Sequence, residues 1–307
     1  MMADSDYVAG LIDSLSNWGR WGPDDQLGTL NYLTAATRRD AALLVRDGEA
    51  IGLGRTLSPR DRPEFGSPML HFMTQSGDAA PAEGQGLASD WIGLEFHGYG
   101  TTHLDALSHV FWNRRMYNGI PAGRVDGRRG ATAGSVEIAK DGIMGRGVLL
   151  DVPRTRKALG SDRIGIVQPD ELTACCREQG CEVRQGDIVL VRAGRDDDTV
   201  PRPAEGEPGS ARPGMYVDCV RWIHERAVSV LGSDGVNDAR PSGIAGVVTP
   251  IHAVAISAMG LWLIDNLYLE DLAARCAEAG RWEFCFMMTV LRIKNGTGSP
   301  VNPVAIL

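Results

Sequence analysis

Several classes of protein are excluded by what the sequence lacks. It has no basic surplus: 31 Lys and Arg stand against 39 Asp and Glu, a formal net charge of -8. A nucleic-acid backbone therefore finds no positive footprint on it. No run reaches the roughly 18 consecutive apolar residues of a membrane-spanning helix. The richest stretch, 244–269, is broken by Thr249, Pro250, His252 and Asp265. The start, MMADSDYVAGLIDSLSNWG, lacks the basic flank and apolar core of a secretory signal. None of the six cysteines forms a Cys-x-x-Cys pair, which argues against a zinc knuckle. Cys175 and Cys176 are adjacent, Cys181 follows closely, and Cys219 and Cys285 lie in apolar surroundings. That pattern suits reduced thiols and a cytoplasmic protein. There is no internal repeat or low-complexity linker, and the glycines of 142–147 lack phosphate-loop spacing.

Histidine is also scarce, and its placement is informative. Three of the six histidines, His97, His103 and His109, fall within thirteen residues of the stretch 96–119, FHGYGTTHLDALSHVFWNRRMYNG. Asp105 follows His103 by two. In an extended segment His103 and Asp105 point the same way, because strand side chains alternate, and His97 has the same parity. Imidazoles beside a carboxylate suit a divalent cation, with mixed N/O ligation favouring zinc or manganese. A further ligand must come from elsewhere. His252 opens a long apolar segment and Asp265 interrupts its far end; buried polar groups in such places need partners. His109, four residues beyond Asp105, reads as another ligand or as the base that moves a proton at the attacking water. Phe72, Tyr99, Phe111, Trp112 and Tyr117 are candidates to wall a pocket for a ring-containing small molecule, with core packing the competing role for the aromatics. His71 and His224 read as surface or hydrogen-bonded histidines. Asp151 and Asp234 at strand ends read as turn formers, and 124–129 as a solvated face.

Elsewhere, short strands alternate with helices. A helix capped by Thr34 or Thr37 is expected to run to about Val45. Helices are also predicted over 169–179, behind Pro169 and ahead of Gly180, over 217–226 and over 271–279. Strands are predicted over 51–57, 90–99, 147–152, 188–192, 228–232 and 282–290, and surface loops over 58–68, 79–86 and 196–214. The alternation favours one α/β domain over 1–307.

The stretch 101–119 resembles the histidine signature of the cyclase family of metal-dependent hydrolases, whose members include bacterial kynurenine formamidase and isatin hydrolase. WGPDDQLGTLNYLT (21–34), EVRQGDIVLVRAG (182–194) and PIHAVAISAMGLWLIDNLYLEDLA (250–273) extend the resemblance in the family's order over most of the chain. It implies a single α/β domain with a mixed β-sheet core and flanking helices, 1–50 being an N-terminal helical extension. By the same resemblance His103, Asp105 and His252 bind metal and His109 is the catalytic acid/base. Asp265 falls near a downstream glutamate ligand of the family. Tyr99 stands where the family has its first histidine, with His97 two residues earlier as the possible substitute, and Leu107 replaces a proline. The resemblance implies one divalent ion, zinc or manganese, with room for a second, and a homodimer or homotetramer. The implied activity is hydrolysis of a lactam, imide, lactone or aryl formamide. The alternatives are a dehydrating or ring-closing enzyme on the same site and a small-molecule binding protein without turnover.

Overall fold

The computed structural model describes residues 4–59, 68–197 and 212–307. Most of the two surface loops expected over 58–68 and 196–214 lies outside the described residues. The described residues build fifteen strands: β1 (Ala50–Gly52), β2 (Leu70–Gln75), β3 (Ser89–Gly93), β4 (His103–Asp105), β5 (Val125–Asp126), β6 (Gly130–Ala131), β7 (Ile143–Asp151), β8 (Ile166–Val167), β9 (Ile188–Arg192), β10 (Gly214–Met215), β11 (Val230–Ser233), β12 (Trp262–Asp265), β13 (Glu283–Met288), β14 (Gly298–Pro300) and β15 (Val304–Ile306). Seven α-helices accompany them: α1 (Ser5–Ser14), α2 (Ala35–Ala42), α3 (Val152–Leu159), α4 (Pro169–Gln179), α5 (Cys219–Glu225), α6 (Pro250–Val254) and α7 (Glu270–Ala279).

Nine strands form one mixed sheet in the order β1-β15-β13-β7-β9-β11-β12-β4-β14. Its middle, β7-β9-β11-β12, is parallel, and the strands on either side run antiparallel. Parallel strands covered on both faces need apolar residues at every position. Ile188–Arg192 meets this demand with IVLV, each residue fully buried, and the aliphatic part of β7 does the same. Burying each such side chain contributes on the order of 1.5–3 kcal/mol. α4 and β9 coincide with their predicted spans, with Gly180 closing α4 in a left-handed conformation. Thr34 caps α2 by accepting from the Thr37 amide at 3.2 Å, and the helix stops at Ala42, short of Val45. The strand expected over 51–57 shrinks to β1, and the one expected over 90–99 ends at Gly93, before the glycines Gly98 and Gly100. Cys276, on α7, joins Cys175, Cys219 and Cys285 among the buried thiols.

The N-terminal residues brace the sheet's far half. α1 buries Val8, Leu11 and Ile12 and packs on α6. Beyond it, Asn17 donates to the Met259 carbonyl at 2.9 Å, Trp18 to the Ser257 carbonyl at 2.7 Å, and the Thr29 amide to the Gly260 carbonyl at 2.9 Å. These bonds hold α6 and the π-helical turn 255–259 that continues it. Among the described residues no helix is long and apolar enough to cross a membrane.

Candidate metal centre

Strand pairing brings the first residues together. β4 lies between β12 and β14, and its antiparallel register with β12 sets His103 directly opposite Asp265. Directly opposed residues share a face, so His103, Asp105 and Asp265 project to one side while Leu104 is buried on the other. His103 Nε2 lies 3.5 Å from Asp105 Oδ1 and 4.0 Å from Asp265 Oδ2. His103 Nδ1 sits 2.8 Å from the Thr101 carbonyl oxygen, which directs Nε2 inward. His252 arrives from α6. Its Nε2 is 3.3 Å from Asp105 Oδ2 and equally 3.3 Å from Asp265 Oδ2.

The other two histidines come from irregular chain. His97 Nδ1 is 2.9 Å from Asp105 Oδ1, and His109 Nε2 is 3.8 Å from the same oxygen. Their rings stack at 3.9 Å between centroids, with planes 7° apart. The segment leading from His97 to β4 is stitched down by Asn266, whose Nδ2 donates to the carbonyls of Gly98 and Thr101. Gly298 on β14 makes room for His97: a Cβ there would lie 2.8 Å from His97 Cε1 and 2.5 Å from the Leu104 carbonyl oxygen.

Asp105 is thus ringed by four imidazoles and fully buried, yet neither of its oxygens has a hydrogen bond of proper geometry among the described residues, and neither does His97 Nδ1. The close approaches converge on shared space instead of forming donor–acceptor pairs. Two sets of side chains can each turn one donor atom to a common point: His103, Asp105 and Asp265, and His97, Asp105 and His109. His252 adjoins the first set. A buried carboxylate needs compensation for its charge, and a divalent cation is a partner that this set of imidazoles and carboxylates fits.

The electrostatics follow from this crowding. Burial acts to raise Asp105, but His109, His103, His252 and His97 hold its carboxyl well below the usual carboxylate range. Burial acts to lower His252, but Asp265, Asp105 and Asp238 hold it well above the ordinary imidazole value. Burial pulls His109 down to about 4; Asp105 opposes this, and His97, His252 and His103 add to it.

Three supporting residues were not singled out in the sequence. Asp238 Oδ2 lies 2.6 Å from His252 Nδ1, while Oδ1 accepts from the Ile251 amide at 2.6 Å, fixing the ring's orientation. Asn237 donates to Asp265 Oδ1 at 2.6 Å and to the Ile264 carbonyl, leaving Oδ2 of Asp265 for the cluster. Thr297 Oγ1 is 3.1 Å from His97 Nε2. The only signal for the first two was a pair of polar residues after a buried strand. Asp234 holds a loop, as a turn former should, by accepting from the amides of Ala193, Gly194 and Arg195.

The aromatic candidates separate. Tyr99 adjoins the cluster. Burial raises its phenol, with Asp265 and Asp238 adding to the rise and Arg240 and His252 opposing it. The guanidinium carbons of Arg212 and Arg240 lie 5.0 and 4.9 Å from its ring centroid. Trp112 packs partly buried against the core, and Phe111 is 42 % exposed. Tyr117 is not a pocket wall: its ring fills the space above Gly260 and its hydroxyl donates to Asp25 at 3.0 Å, so it is core. Phe72 does not line the cluster either, because it sits on the outward β2–β3 hairpin against Trp91. His71 lies 2.6 Å from Asp90 on the same hairpin.

The family model described as Putative cyclase matches residues 51–238. The crystal structure of a novel cyclase is similar over 96 % of this chain and 99 % of its own, at 29 % identity and a TM-score of 0.86. Isatin hydrolase A from Labrenzia aggregata, bound to benzyl benzoate, is similar over 90 % of this chain and 98 % of its own, at 24 % identity and a TM-score of 0.57. A predicted metal-dependent hydrolase from Bacillus stearothermophilus is 13 % identical over 84 % of this chain and 97 % of its own, with a TM-score of 0.50. At these identities the last two share the fold alone. No curated protein matches.

Proposed function

This chain belongs to that cyclase family, and from this premise we propose that it is a metal-dependent hydrolase. Its substrate class is a cyclic amide, imide or lactone, or an aryl formamide. The observation that carries the reading is Asp105, a fully buried carboxylate on which four histidines and Asp265 converge. His103, Asp105, His252 and Asp265 would hold one divalent ion, zinc or manganese. His97, beside Asp105, is the donor left for a second. An ion so held supplies a Lewis acid for the carbonyl and lowers the pKa of bound water toward neutrality.

The chain's own residues do the rest. Asp238 keeps Nδ1 of His252 occupied so that Nε2 faces the two carboxylates. Asn237 does the equivalent for Asp265. His109 is the general base: about a quarter of its side chain is exposed, so substrate and water can reach it. It takes a proton as the water oxygen bonds to the carbonyl carbon. It returns that proton to the leaving nitrogen or oxygen as the C–N or C–O bond breaks. Tyr99 forms a wall beside the cluster, with the two arginines behind it.

The test is a hydrolysis screen of metal-loaded protein over isatin, N-formylkynurenine, lactones and cyclic imides. Turnover of at least one class, abolished by a chelator and restored by zinc or manganese, is expected. Metal-loaded protein that binds such compounds but turns none over would replace the hydrolase by a binding protein.

A further inference from the structure

We propose that Cys176 and Cys181 form a peroxide-reactive dithiol that closes to a disulfide. The turn that ends α4 brings the two residues together. With Gly180 in the left-handed conformation, its amide donates to the Arg177 carbonyl at 3.3 Å and the Cys181 amide to the Cys176 carbonyl at 3.0 Å. This pair of bonds is the Schellman closure, which sets the side chains at its two ends against each other, usually as an apolar contact. Here both ends are cysteine. Both thiols are free and partly exposed, whereas Cys175, Cys219, Cys276 and Cys285 are buried. Adjacent helical residues point about 100° apart. Cys175 accordingly turns inward to Thr155, leaving Cys176 beside Cys181.

The two thiols differ in character. The Cys181 thiol donates to the Cys176 sulfur, and the Arg226 guanidinium and the Val183 amide also act on that sulfur; together they lower the Cys176 thiol, although burial opposes them. The same contact, with burial and Glu283, pushes Cys181 up. Burial pushes Cys175 and Cys276 up to about 12, and raises Cys219 and Cys285 as well. A thiolate is the reactive form of cysteine, so Cys176 is the attacking sulfur and Cys181 the resolving one. The Cys176 thiolate bonds to one oxygen of hydrogen peroxide, the O–O bond breaks, and the departing hydroxide takes a solvent proton to become water. The Cys181 sulfur then bonds to the Cys176 sulfur of the sulfenic acid. The S–O bond breaks, and the second hydroxide leaves as water with the Cys181 proton. Two sulfurs give up two electrons to one peroxide. The ring so closed contains Gln179, which donates to the Leu149 carbonyl at 2.8 Å and accepts from the Asp151 amide at 3.0 Å. The disulfide therefore fixes the end of α4 against β7. None of these residues belongs to the candidate metal centre, so the inference stands apart from the proposed hydrolysis.

Peptide mapping of the full chain tests this without any assay of turnover. Reduced protein is treated with a small excess of hydrogen peroxide near neutral pH, denatured, alkylated with iodoacetamide and cut by trypsin after Arg163, Arg177 and Arg184. Peptides 164–177 and 178–184 should emerge joined by a disulfide, with Cys175, Cys219, Cys276 and Cys285 alkylated. Before oxidation, native protein should take up iodoacetamide at Cys176 at least about tenfold faster than at any buried cysteine. Cys181→Ser should remove the link and leave Cys176 as a sulfenic acid that dimedone captures. Unlinked peptides, a link through Cys175, or no dimedone adduct at Cys176 in that variant overturns the proposal. So does equal alkylation of Cys176 and the buried cysteines. If the variant does not fold, the wild-type peptide map decides.

Discussion

His103, His252 and Asp265 reach Asp105 from hydrogen-bonded strands and a braced helix, and all three are nearly inaccessible. His97 and His109 reach the same carboxylate from irregular segments, and about a quarter of each side chain is exposed. The inner group has its orientation fixed from behind, by Asp238, Asn237 and the Thr101 carbonyl. The outer pair is held mainly by stacking and by the space above Gly298. A rigid, closed donor set suits permanent retention of an ion, and a looser, open set suits exchange of water, proton and substrate. Under the proposed function the inner group would hold the ion and the outer pair would be its working face.

Asp105→Asn touches both halves and should have the largest effect. Metal content should fall to background and kcat/KM by about 10³-fold or more, the factor that several kcal/mol of charge stabilisation represents. Elemental analysis beside steady-state kinetics checks this, and retained metal would separate Asp105 from the centre. His109→Ala should lower kcat by about 10²–10⁴-fold while the inner ion stays at one equivalent. Loss of that ion would make His109 a ligand and erase the division of labour. Asp238→Asn leaves every proposed ligand in place but loosens His252, so metal affinity or activity should drop about 10–100-fold, read by competition with a chromophoric chelator. His97→Ala should act on the outer pair alone. Without that ring, binding of a second equivalent should weaken with the first unchanged; equal loss of both would show that the two halves are one unit.

The inner pair on β4 was legible because alternation along a strand needs only local sequence: His103 and Asp105 differ by two. His252 and Asp265 were legible as polar interruptions of an apolar run, which the core tolerates only with partners. Their meeting with β4 depends on strand order, and no local pattern encodes that. Asp238 and Asn237 were missed for the same reason, since they follow β11 and reach the cluster only through the parallel pairing of β11 with β12. Tyr117 and Phe72 show the limit of reading aromatics by proximity in sequence. One fills the core over Gly260, and the other projects on a hairpin whose outward direction the alternation of residues does not reveal.

The most direct test is equilibrium dialysis of purified wild-type protein against zinc and, separately, manganese, with His252→Ala alongside and folding followed by circular dichroism. The account predicts one tightly held equivalent in the wild type, a weaker second at higher concentration, and loss of the tight equivalent in the folded variant. A folded wild-type protein that retains no stoichiometric ion of either metal would contradict it.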